Sequence, residues 1–187
     1  WLYRKPYQKA AERQKEINDH FRSRLSLLRQ LEDSHCGSID RVADTFATLL
    51  EMGCVPIVNE NDSISTEELN FGGNDTLSAY VAMICDADLL INLSDIDGLY
   101  DSDPRKNKNA RLIEHVAKID DTVLACAGGV GSDRGTGGML TKLKAAQIAT
   151  AAGIPMQILN GRDPRVLYRV IEGEHVGTYF AAEGEDA

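Results

Sequence analysis

GTGGMLTKLKAAQIATAAGIPMQILNGRD, residues Gly135 to Asp163, runs from paired glycines into a lysine-bearing helical stretch, halts at a glycine and resumes as a short apolar strand. The spacing predicts a helix from Met139 to about Ala152, ended by Gly153, and a strand over Pro155–Leu159. The same alternation lies upstream. A helix from about Thr76 to Cys85 is expected to bury Leu77, Val81 and Ile84, ahead of a strand over Asp88–Leu93. Earlier still, Ser38 is placed to cap a helix whose inner face is Ile39, Val42, Phe46, Leu49 and Leu50, with Gly53 as its stop, and Cys54–Val58 fits a strand buried on both faces. Strands separated by helices of this length need crossover connections. The chain is therefore expected to be α/β, a three-layer α/β/α sandwich with a mainly parallel central sheet.

With 187 residues the chain suits one well-filled core. Its formal charge of -9 is uneven: residues 1–30 hold eight Lys/Arg against three Asp/Glu, and the remainder twelve against twenty-six. An acidic body argues against a nucleic-acid partner. In the basic segment Ile17, Phe21, Leu25 and Leu28 share one helical face, with Arg13, Lys15, Arg22, Arg24 and Arg29 elsewhere. That pattern reads as a solvated helix packed on the body, an anionic-surface binder being the alternative. No apolar run reaches the roughly 18 residues a membrane-spanning helix needs, so no membrane partner is expected. Cys36, Cys54, Cys85 and Cys126 form no C-x-x-C pair, which points to a reducing, cytoplasmic setting without a zinc site. The chain divides into a basic segment at 1–37, a domain at 38–182 and an acidic tail at 183–187.

Ligands of open α/β sheets bind beyond the carboxyl ends of the strands. That rule selects NEND (Asn59–Asp62), SDIDGLY (Ser94–Tyr100) and NGRD (Asn160–Asp163). Six glycines among the eleven residues from Gly128 to Gly138 precede the helix carrying Lys142. Bare backbone amides and a helix N-terminus make a phosphate cradle, and a lysine one turn in offsets phosphoryl charge. The pattern is neither G-x-x-x-x-G-K-[ST] nor G-x-G-x-x-G. Composition alone fits a flexible connection as well; Thr136, Thr141 and Lys142 around the paired glycines favour phosphate. Ser94 and Asp95 can take ribose or base-edge hydrogen bonds and Tyr100 offers a flat face to a purine, although a capped turn would use the same residues. Asn59, Asp62, Asn74 and Asp75 bring amides and carboxylates to the same edge, suited to the ammonium and carboxylate of an amino acid, or simply to Asx turns.

Taken together, VPIVNEND, FGGNDTLSA, LSDIDGLYDSDPR and GTGGMLTKLKAA resemble the amino acid kinase family, in order and spacing, from about residue 38 to Phe180. Within the family the likeness is to the branch that phosphorylates glutamate. The resemblance implies transfer of the γ-phosphoryl of ATP, with Mg²⁺, to the side-chain carboxylate of L-glutamate, as the first step of proline synthesis. It implies glutamate contacts at Asp62, Asn74 and Asn59, and ATP contacts at Ser94, Asp95, Thr136, Gly137, Gly138, Met139, Leu140, Thr141 and Lys142. Lys142 would stabilise the transition state and Asp75 would orient catalytic lysines. A homo-oligomer, dimer or tetramer, and feedback inhibition by proline are implied in the same way.

Family members begin with a strand carrying a lysine and a glycine/serine turn, and many end in a PUA-type domain. Residues 1–37 hold no V-x-K-x-G-like start, the first residue is Trp1, and the chain stops just beyond GTYF. An amino-terminally truncated kinase domain is therefore expected. The rival readings are a catalytically inactive sensor of nucleotide or amino acid, and a sister kinase with another acidic substrate.

Overall fold

A computed structural model describes residues 2–3, 36–59, 73–128 and 137–184. In chain order the elements are β1 (Leu2–Tyr3), α1 (Cys36–Glu51), α2 (Asn74–Ile84), β2 (Leu89–Ser94), β3 (His115–Val116), α3 (Asp121–Cys126), α4 (Gly137–Ala151), β4 (Met156–Asn160), α5 (Val166–Ile171) and β5 (Thr178–Phe180). The sheet order is β1-β2-β4-β5-β3. Its longest pairing is parallel, β2 with β4 from Leu90↔Met156 to Ser94↔Asn160, and β3 with β5 is parallel too. β1 joins β2, and β5 joins β4, antiparallel.

The α/β layering follows from the alternation along β2 and β4. Leu90, Met156 and Ile158 point to one face, where Ala79, Ala82 and Met83 of α2 and Leu143, Ala145, Ala146 and Ala149 of α4 form the main core. Ile91 and Leu159 point to the other, against Val166, Leu167 and Val170 of α5. Strands covered on both faces read as continuous apolar runs, as DLLINL and PMQIL do. Alanines at three fully buried positions of α4 let that helix lie close to its neighbours.

Both predicted helix stops occur. Gly53 and Gly153 have φ of 74° and 73°, and the amides that follow, of Cys54 and Ile154, donate to the carbonyls of Leu49 and Ala149 at 2.9 Å. This is the left-handed cap that only a residue without Cβ takes at no cost.

Two expectations are corrected. Cys54–Val58 forms no strand: Val55, Ile57 and Val58 are 71%, 96% and 45% exposed. The β2 edge away from β4 is filled by β1, through Leu2↔Leu90 and Tyr3↔Leu89, so this run does not enter a described ladder. Apolar composition signals that a strand wants burial; a free sheet edge decides whether it forms. Of the expected inner face of α1, Val42 and Leu50 are 41% and 39% exposed while Phe46 and Leu49 are half-buried, and Ser38 lies within the helix rather than capping it.

Candidate active site

Two helices bring their N-terminal parts together beside β2. Asp75 lies in the first turn of α2, and Lys142 and Thr141 lie in α4 just after Gly137–Gly138. The carboxylate of Asp75 is where they meet. Its Oδ2 accepts from Thr141 Oγ1 at 2.7 Å and Lys142 Nζ at 3.1 Å, and its Oδ1 accepts from Asn92 Nδ2 at 2.7 Å and Lys142 Nζ at 3.3 Å. The two charged side chains retain only 15% (Lys142) and 21% (Asp75) of their exposure. Burial acts to raise the Asp75 pKa, but the hydrogen bonds from Thr141, Asn92 and Lys142, with the ammonium charge, outweigh it and hold the carboxyl below its ordinary 3.8. The positive end of α2 acts in the same direction.

Lys142 also faces a cleft of about 510 Å³, a volume that suits a small-molecule site. Ser94, Asp95, Tyr100, Gly138 and Met139 line it with Lys142. Ser94 Oγ donates to Asp95 Oδ1 at 3.3 Å. The Tyr100 hydroxyl donates to Asp97 Oδ2 at 3.1 Å, and Asn160 Nδ2 of β4 holds Asp97 Oδ1 at 2.7 Å. Partial burial and then the Asp97 carboxylate push the Tyr100 pKa up, so the phenol stays neutral. The turn that sets this geometry needs a glycine, because a Cβ at Gly98 would lie 2.5 Å from Thr178 Oγ1. That hydroxyl accepts from Leu99 N at 2.8 Å and donates to Ile113 O at 2.6 Å, tying the turn to β5.

The structure thus gathers Ser94, Asp95, Gly138, Met139 and Lys142 on one cleft. Thr141 serves Asp75 instead, Gly137 opens α4, and Leu140 is 40% exposed outside the cleft wall. Asn59 and Asn74 meet, Nδ2 of Asn74 donating to Oδ1 of Asn59 at 3.2 Å. Asp62 and Thr136 lie outside the described residues. Among the described residues no group of three or more His, Cys, Asp or Glu side chains is placed to hold a metal, and no helix is long and apolar enough to cross a membrane.

Three contributors were not read from the sequence. Asn92, 9% exposed within β2, donates to Asp75; a lone amide inside an apolar strand was the available signal. Arg105 and Lys106 also line the cleft, and Arg105 lies 3.9 Å from Asp95. Ala125–Gly128, at the end of the Asp120-capped α3 and just past it, line it too, a placement that local pattern cannot reveal.

The profile of the amino acid kinase family matches residues 9–160. The chain is 53% identical to a glutamate 5-kinase of Clostridium perfringens (strain 13 / Type A), over 77% of this chain and 55% of that protein. It is 55% identical to the glutamate 5-kinase of Clostridium tetani (strain Massachusetts / E88), over 74% of this chain and 52% of that protein. It therefore spans about half the length of these curated relatives. Among solved structures, an isopentenyl phosphate kinase superposes with a TM-score of 0.56 at 22% identity, over 73% of this chain and 50% of the other. The isopentenyl phosphate kinase of T. acidophilum gives 0.53 at 19%, over 73% and 52%. At that identity the likeness concerns the fold.

Proposed function

The chain belongs to the amino acid kinase family, and on that premise we propose that it is the glutamate-phosphorylating part of a glutamate 5-kinase, working at the cleft between β2 and α4. The observation that carries the reading is the placement of the Lys142 ammonium, braced by Asp75, on the wall of the cleft that Ser94 and Asp95 also line. Similarity to glutamate 5-kinases over three quarters of the chain supports the choice of substrate.

In the proposed reaction an oxygen of the glutamate side-chain carboxylate attacks the γ-phosphorus of ATP. The bond from that phosphorus to the β,γ-bridging oxygen breaks, and ADP leaves with the electron pair. A carboxylate is already ionised near pH 7, so the nucleophile has no proton to lose and no general base is required. What remains for the protein is alignment and charge neutralisation. Lys142 neutralises charge on the moving phosphoryl group, Asp75 and Thr141 hold Lys142 in place, and the amides of Gly137 and Gly138 approach the phosphates. Ser94 and Asp95 bind the nucleoside, with Tyr100 beside it. Asn59, Asp62 and Asn74 take glutamate.

Mg²⁺ in this reading arrives on the triphosphate, as is usual for that ion. A cytoplasmic setting rests on the cysteine pattern, and a homo-oligomer and proline as feedback ligand rest on the family resemblance. An ATP-dependent hydroxamate assay tests the substrate: product is expected with L-glutamate and at least about tenfold less with L-aspartate, whose carboxylate falls one methylene short. Equal rates with both acids would reassign the acceptor loop.

A further inference from the structure

Asn92 sits where stability alone favours an apolar side chain. It is 9% exposed, follows Leu90 and Ile91 in β2, and pairs across the ladder with Ile158, which is fully buried. An amide brought into such surroundings costs free energy unless it is hydrogen-bonded. Its Nδ2 has one described partner, Oδ1 of Asp75, at 2.7 Å.

The geometry at Asp75 shows what that contact does. Lys142 lies at comparable distances from both carboxylate oxygens, 3.1 and 3.3 Å, while a neutral donor holds each oxygen from a different element. Thr141 of α4 takes Oδ2 and Asn92 of the sheet takes Oδ1. Thr141 and Lys142 are adjacent on one helix, so they move together. Among the described residues Asn92 alone ties the carboxylate to the sheet. Without it, the carboxylate is free to turn toward the α4 donors, and the ammonium is drawn off the cleft wall.

We propose that Asn92 is a positioning residue: its side-chain amide fixes the Asp75 carboxylate from β2 so that Lys142 is presented to the cleft. This rests on the reading of Lys142 as the cation of phosphoryl transfer. Among the described residues Lys142 is the charged group in contact with Asp75, the other side-chain donors to it being neutral.

Asn92→Leu removes the donor while suiting the apolar strand, and Asn92→Ser keeps a hydroxyl too short to reach. Carboxyl-carbon NMR of the whole chain, with the Asp75 signal identified by its absence in Asp75→Asn, reads the contact directly. Loss of a hydrogen bond to the charged form is expected to raise the Asp75 midpoint by about one pH unit in both variants. The melting temperature of Asn92→Leu should not fall. Turnover should drop about tenfold or more, with KM for ATP and for glutamate within about a factor of three, since only alignment is lost. An Asp75 midpoint equal to that of the native chain wherever both are folded, or native kcat in an active Asn92→Leu chain, overturns the proposal. If the native chain forms no product from ATP and glutamate, the kinase reading fails while the NMR titration still decides the role of Asn92.

Discussion

A carboxyl group with only 21% of its side chain exposed would ordinarily resist ionisation, yet Asp75 is held as a carboxylate by three donors from two elements. Because its folded pKa lies below the ordinary 3.8, its contribution to stability is fully present above that value and is lost as pH falls through the folded pKa. Asp75→Asn should therefore destabilise the chain by about 2 kcal/mol near pH 7, by leaving Lys142 without its counterion. Denaturant melts of the two chains should converge only as pH falls through the folded pKa of Asp75, which lies below 3.8; a gap that stays constant into acid would mean the carboxylate charge is not what stabilises. At this scale the sequence was informative but incomplete. Lys142 was legible from the paired glycines before it, whereas Asp75 was singled out through the family resemblance, because an Asx-rich run alone reads as turn chemistry. Asn92 was passed over because it sits inside a strand whose other residues all speak for core packing.

Among elements, the glycines divide by what surrounds them. Gly98 is hemmed in by Thr178 Oγ1 at 2.5 Å and Leu112 Cδ1 at 2.9 Å. Gly98→Ala is expected to cost about 1 to 3 kcal/mol by prising the turn from β5, as a denaturation curve would register. Gly138, in α4, has nothing within 4 Å of an added Cβ. Gly138→Ala should leave stability within about 1 kcal/mol, or improve it through helix propensity. Its effect belongs to the cleft it lines, where ATP affinity should weaken several-fold. The long elements α2, β2, α4 and β4 were readable to within a residue or two, since each spans enough positions to display a period. β3 and β5, two and three residues long, and the six-residue α5 are too short to show one. The run Cys54–Val58 had the right composition and still stayed out of the sheet, since strand formation is settled by a partner elsewhere in the chain.

For the whole molecule, the exposed run from Met52 to Val58 implies that its side chains carry little of the stability. Ile57, at 96% exposure, can become Ser with a change within about 0.5 kcal/mol, measurable as an unaltered melting midpoint. Ligand linkage acts at this scale too: ATP at a hundred times its Kd should stabilise the fold by about 2.7 kcal/mol, and Ser94 and Asp95 substitutions should diminish that gain. The measurement closest to the central claim is transfer of γ-³²P from saturating ATP to L-glutamate, run on this chain and on Lys142→Ala, with ATP affinity determined for both. The expected result is label on glutamate with the native chain, a loss of at least about a hundredfold in the variant, and ATP affinity changed far less. Label transferred at the native rate by Lys142→Ala would contradict the account.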